Sequence, residues 1–209
     1  MRSPLQNRVT PSGELVAADA RGTVFGNRGG RFHDPATRTV GRRRWASRQW
    51  IVCVLEFRNR RRAVWGDGYT ELFFLDEVTA LAAGHRPCFE CRRSDAVSFA
   101  EAFAAGSGRT MRLRAPEMDA VLHAQRLDGR AKRRHAADVA ALPAGAVIEI
   151  GEQAFALGED RLLPWSLGGY GPSLPRPAGG PAVVVTPPAT IAALAAGYRP
   201  IWHPSATVA

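Results

Sequence analysis

Leu72–Arg93 reads LFFLDEVTALAAGHRPCFECRR, and its punctuation decides the fold around it. Leu72–Leu75 is apolar, aromatic and of strand length. Asp76 then stands where a helix N-cap belongs, and a helix is predicted over Glu77–Ala83. Gly84 suits the left-handed position that closes a helix, and Pro87 forbids continuation. Cys88 and Cys91 follow at a spacing that lets two thiolates grip one metal ion or form a redox pair. A redox pair belongs at a helix N-terminus in a βαβ frame, and the surrounding chain lacks that alternation.

Upstream, Trp50–Phe57 (WIVCVLEF) is a β-branched run in which Ile51, Cys53, Leu55 and Phe57 share one face. Arg58-Asn59-Arg60 reads as a turn and Arg61–Trp65 as a returning strand, giving a basic hairpin. Residues 1–48 are rich in Gly, Pro and Arg, with a weak strand at Gly22–Phe25 and a glycine-dense loop at Gly26–His33. Downstream, helices are predicted over Ser94–Ala105, where Phe99 and Phe103 share a face, and over Pro116–Leu127. The basic cluster Arg130–His135 is read as helical into Ala141. Ala146–Ile150, Gln153–Leu157 and Arg161–Trp165 then form an antiparallel meander, followed by a Pro/Gly loop, a strand at Val183–Val185 and a helix at Pro188–Ala196.

The expected fold is α+β: a zinc-stapled β-hairpin with short helices, a helical segment, and a small antiparallel C-terminal meander. Residues 1–110, 111–142 and 143–209 are the corresponding regions, compatible with packing as one unit. One internal echo stands out. Thr79–Pro87 (TALAAGHRP) and Ile191–Pro200 (IAALAAGYRP) share an alanine-rich helix end, a glycine, a ring and Arg-Pro, but only the first runs into cysteines. Two copies do not make a solenoid, so the shared part reads as a structural end-cap.

The chain has three cysteines, which excludes a four-cysteine site within one chain. A structural Zn2+ takes four N or S ligands in a tetrahedron, so Cys53, Cys88 and Cys91 call for one imidazole. The candidates are His33, His85, His123, His135 and His203. His85 is nearest to the pair, but the echo puts Tyr198 at the same point, as a ring filling a packing slot. His33 lies in a bendable loop upstream of the Cys53 strand and is the ligand chosen by elimination.

FFLDEVTALAAGHRPCFECRR resembles the second half of the zinc-binding domain of Ada-type DNA alkylation-repair proteins. There an aromatic pair and a short helix lead into Ala-Gly-aromatic-Arg-Pro-Cys-x-x-Cys and a basic residue. The resemblance is confined to this stretch and implies that Cys88 and Cys91 ligate zinc. Ada-type domains take their other two thiolates from an upstream cysteine pair, whereas this chain has only Cys53, so methyl-group acceptance is not carried over. The remainder resembles an uncharacterised bacterial protein group.

The formal net charge is +9, and 27 of the 28 basic residues are Arg. Residues 1–66 hold 14 arginines against four acids, and the rest of the chain holds 14 basic and 15 acidic groups. Such a one-ended excess is the footprint of a surface facing a polyanion. Arg42, Arg43 and Arg44, with Arg58, Arg60, Arg61 and Arg62, interleave with Trp45, Trp50 and Trp65, a pattern suited to DNA or RNA. An alternative is a hydrolase or nuclease in which Asp119 orients His123 one helical turn on. A zinc-stabilised protein-interaction module is a third reading. An odd cysteine count with metal spacing, no apolar leader at the N-terminus and no long apolar run point to a cytoplasmic setting and no membrane partner.

Overall fold

The structure, a computed structural model, describes residues 4–60 and 63–208. The fold is α+β. Short strands β1 (Arg8–Val9) and β2 (Leu15–Val16) precede β3 (Val24–Arg28), β4 (Trp50–Val54), β5 (Leu72–Phe74) and β6 (Arg86–Pro87). Among the described residues these make a six-stranded mixed sheet in the order β2-β1-β5-β3-β4-β6. The antiparallel partner of the Cys53 strand is β3, with Phe25 opposite Cys53. The predicted returning strand is not its partner: Val64 and Trp65 form a turn, Trp65 has a positive φ of 59°, and Arg61 and Arg62 lie outside the described residues. Strand β3 also runs on through Arg28, so the glycine-dense loop begins later than its composition suggests.

Helix α1 (Glu77–Ala82) is buried along its whole length. Asp76 caps it as expected, its carboxylate accepting from the Thr79 N–H at 2.9 Å. A helix apolar on every side must be surrounded, and α1 is. Ala80 packs on the first sheet with Val52, Leu72 and Phe74. Leu81 enters a helical cluster with Phe99, Phe103, Met118, Leu122 and Leu194. Val78 and Ala82 meet Val147, Ala156, Leu163 and Val185 of the C-terminal sheet. The opening stretch is therefore the junction of three hydrophobic clusters.

The helical cluster is built from α2 (Arg93–Gly106), α3 (Ala115–Arg126) and α4 (Pro188–Ala195). The C-terminal meander is present as β8 (Val147–Ile150), β9 (Gln153–Leu157) and β10 (Arg161–Ser166), preceded by β7 (His135–Asp138). Strand β7 corrects the helical reading of Arg130–Ala141. Leu127–Asp128 and Ala131–Lys132 turn back on each other, and β7 then pairs with Pro181–Val184. Position Gly129, with φ of 59°, supplies the tight turn that breaks the helix there.

The two echo segments have the same cap. Gly84 N–H donates to Leu81 O and His85 N–H to Ala80 O, and Gly197 and Tyr198 repeat both bonds to Leu194 and Ala193. This is the Schellman pattern, with each glycine in the left-handed region.

Candidate metal centre and cationic cavity

Cys53 arrives on a central strand, and Cys88 and Cys91 on the loop between β6 and α2. Strand β6 runs parallel to β4, with Val52 opposite Pro87, and the Cys88 N–H donates to Val52 O at 3.0 Å. That lacing carries the loop to the Cys53 side chain. The three sulfurs all lie within 4.8 Å of one another, a cluster that could hold a metal ion. Tetrahedral thiolates about 2.3 Å from zinc are about 3.8 Å apart, so the cluster is of the right size. Cys53 and Cys88 are buried and Cys91 is half-buried.

The surroundings favour a thiolate at Cys88 and a thiol at Cys53 and Cys91. Glu90 N–H points at Cys88 Sγ at 3.4 Å. The Cys88 thiol is pushed down, first by hydrogen bonds from Cys53 and Cys91 and also by backbone N–H groups of Cys91 and Glu90. Cys53 is pushed up by its bond to Cys88, its contact with Cys91 and burial. Left to themselves, the sulfurs share protons so that charge collects on Cys88. A cation among them lets all three ionise, because metal binding and thiol deprotonation are linked.

His33 is not with them. It is buried elsewhere, stacked 5.3 Å from the Trp65 ring, in a small hairpin with Thr39–Val40. Its Nε2 donates to Gly66 O at 2.9 Å, so Nδ1 accepts from Thr70 Oγ1 at 2.8 Å. The same Thr70 oxygen accepts the Phe32 and His33 N–H groups. Both ring nitrogens are thus committed, which corrects the choice of His33 as ligand. Among the described residues no His, Asp or Glu joins the three cysteines.

The Asp119–His123 pair is not formed either. Asp119 takes Arg86 Nε and Nη2 at 2.8 Å each, in a buried bidentate pair. His123 Nδ1 lies 2.9 Å from Arg126 Nη2 instead, and its ring stands edge-on to Trp45. An acid that orients Arg86 is not available to orient an imidazole.

The predicted arginines divide. Arg42 and Arg44 line a cavity of about 580 Å3. Arg43 braces its own loop through Trp45 O and Ala46 O. Arg58 and Arg60 stand over the Phe57 ring, and Arg60 pairs with Glu90, between the cysteines, at 2.5 Å. Arg61 and Arg62 lie outside the described residues.

Composition alone missed the cavity's inner wall. Arg28 and Arg126 are buried, 2% and 0% exposed, with guanidinium carbons 4.0 and 3.8 Å from the centre of the Trp50 ring. Arg28 donates to Gly13 O at 2.7 Å, and Arg126 to Gly84 O and Arg48 O. Lys132 donates to Ala82 O, so two of these cations sit on carbonyls at the C-terminal end of α1. The signal in the sequence was the Arg130–His135 cluster, which the hairpin at Gly129 folds back onto this wall. Comparison with protein-family models, with curated proteins and with solved structures found no match. Among the described residues no helix is long and apolar enough to cross a membrane.

Proposed function

We propose that the protein is a zinc-stapled nucleic-acid-binding protein, in which Cys53, Cys88 and Cys91 hold a zinc ion whose tetrahedron is completed by solvent. The observation that carries this reading is the double duty of one strand. Within β4, Cys53 belongs to the sulfur cluster and Trp50 forms the back of the cationic cavity. Thiolates are soft donors that select zinc among common cellular ions of this size, and the Ada-like half-motif points the same way. A metal there ties β4 to the Gly84–Cys91 turn, from which His85 packs 5.1 Å from Trp50. Zinc would supply rigidity to the cavity wall, and the chain's own arginines would supply the binding.

The cavity is lined by seven cationic side chains and one carboxylate, Glu14. Of the seven, only Arg134 is ion-paired among the described residues, to Glu149 at 2.5 Å. A surface kept this unbalanced suits phosphate neighbours, and Trp45 beside it offers a ring to an unpaired base. Two measurements test the reading. Purified protein should carry about one zinc per chain, with three sulfurs and one lighter atom around it by X-ray absorption. Single-stranded DNA should bind with a log–log salt slope of about −3 if four phosphates are neutralised, at about −0.7 each. Metal-free protein with three intact thiols, or binding indifferent to salt, would remove the proposal.

A further inference from the structure

The cavity's inner wall contains more charge than a passing strand could reach. Arg28 and Arg126 are buried on one Trp50 ring, and Lys132 completes the wall. Backbone carbonyls hold donors of all three, and Arg28 Nε and Arg126 Nη2 also point at the His85 and His123 rings, which fixes the cations without neutralising them. Arg126 Nε is buried with no hydrogen-bond partner among the described residues. No carboxylate ion-pairs with any of the three among the described residues. Burying like charges together is costly unless an opposite charge joins them.

The titration of these groups reports the same strain. Burial, helped by Arg44, lowers Arg28 to about 9, and burial and Arg28, with a lesser contribution from Arg86, lower Arg126 to about 9 against the opposing effect of Asp119. Lys132 is lowered to about 7 by burial and by Arg28, Arg126 and Arg134, with Glu149 opposing. An anion entering the cavity would relieve all three at once.

We propose that this cavity receives a nucleotide's phosphate monoester, the phosphate between Arg28, Arg126 and Lys132 and the base against Trp45. The inference rests on the polyanion reading above and names the group that is recognised. Three arguments select a monoester. A backbone phosphodiester in a duplex cannot leave the helix surface to reach buried guanidiniums, whereas a terminal phosphate can. A monoester near neutral pH carries close to two charges, against one for a diester, and so offsets more of the wall. Guanidiniums are the usual partners of phosphate oxygens because their paired N–H groups match two oxygens at once. The cavity's size is that of a small-ligand site, and Trp45 is half-buried on its edge, in contact with both Trp50 and His123. Arg42, Arg44 and Arg130 remain at the mouth for the rest of a strand.

The phosphate could belong to a strand end or to a free mononucleotide, and the test separates them. One short, internally labelled DNA strand is prepared with a 5′-phosphate, with a 3′-phosphate, or with neither, and titrated with zinc-loaded protein by fluorescence anisotropy. At least one phosphorylated strand should bind tenfold or more tighter than the unphosphorylated one. Lys132→Met should cut the ratio of the two affinities at least threefold, and Trp45→Ala should weaken the phosphorylated and unphosphorylated strands together, because its ring meets a base in either. Both variants keep Arg126, whose burial makes its own replacement a risk to folding, and circular dichroism checks that they fold. Equal binding of all three strands overturns the inference and leaves the polyanion reading standing. Failure to bind any strand overturns that reading. In that case, saturable binding of adenosine monophosphate, absent for adenosine, supports the cavity as a mononucleotide site, and no binding of either overturns it too.

Discussion

Replacing Cys53 by serine tests the proposed metal separately from the rest of the core. Among the described residues, four of the five hydrophobic clusters contain no cysteine, and the fifth holds only Phe25, Cys53 and Cys88 as buried members. The Cys53→Ser chain should therefore fold, at the cost of one buried hydroxyl, about 1–3 kcal/mol. Its response to zinc is the decisive quantity. At free zinc a hundredfold above the dissociation constant, a native-state ligand stabilises by about 2.7 kcal/mol. For a chain of 209 residues, an unfolding entropy of about 2.1 cal/mol/K per residue gives about 0.44 kcal/mol/K in total. Wild type should then lose about 6 °C of melting temperature when that zinc is removed by a chelator. Differential scanning calorimetry of both chains, with and without zinc, measures it. Cys53→Ser should start lower and show no zinc-dependent change. A variant that responds to zinc as wild type does would place the ion elsewhere, and a wild type that ignores zinc would refute the staple.

Three further outcomes follow from buried groups. Glu77 is fully buried and accepts from Arg92 at 2.7 Å, Tyr198 Oη at 2.6 Å and Ile201 N at 2.9 Å, so Glu77→Gln should cost about 3–5 kcal/mol in urea unfolding. A loss below about 1 kcal/mol, ordinary for a surface change, would mean that this network does not hold α1 to α2 and the C-terminus. Lys132 has a folded value near 7 against 10.5 ordinarily, so between those values the unfolded chain holds a proton that the folded chain lacks. Stability should therefore rise with pH from about 7 to about 10.5, and Lys132→Met should flatten that rise; equal slopes would contradict the burial of the ammonium. Gly84 and Gly197 occupy matching caps at φ of 91° and 105°, but a Cβ at Gly84 would lie 2.6 Å from Arg126 Cδ while one at Gly197 meets nothing within 4 Å. Both alanine variants should lose about 1–2 kcal/mol for the left-handed backbone, and only Gly84→Ala should lose more and weaken DNA binding as well.

What could be read from the sequence was local. Asp76, Gly84 and Pro87 state their roles within a few residues of the helix they bound, because capping and steric exclusion act at that range. The meander was legible because alternation and turn glycines recur over Ala146–Trp165. The partner of the Cys53 strand was not, since β3 lies upstream of the whole arginine-rich loop that ends at Gln49, and a turn-like Arg-Asn-Arg stood nearer. His33 was misplaced for a related reason: Thr70 and Gly66, which occupy its nitrogens, come from a distant loop and carry no motif. The cationic wall joins Arg28 to Arg126 from opposite halves of the chain, by the packing of α3 against the turn after α1. Arginine-rich segments marked the N-terminal third as cationic but could not show that two arginines from different segments share one indole.

The repeated cap shows how the chain separates support from recognition. Each copy ends an alanine-rich helix with a left-handed glycine and then buries a ring. Tyr198 uses its hydroxyl on Glu77, a carboxylate already paired with Arg92, so the second copy closes onto a network of opposite charges. In the first copy the ring is His85, pinned between Trp50 and Phe74 and only 3.4 Å from Arg28 Nε. Burial and then Arg28 hold that imidazole well below its ordinary value, so it stays neutral and can face a cation. Its Nδ1 has no hydrogen-bond partner among the described residues. One cap thus serves stability alone. The other sets a neutral ring behind a cationic cavity and sends its next residues, Arg86 to Cys91, to the sulfur cluster. A fold that needed only the end-cap would have no reason to differ between the copies, and the difference lies at the residues where the sulfur cluster and the cavity meet.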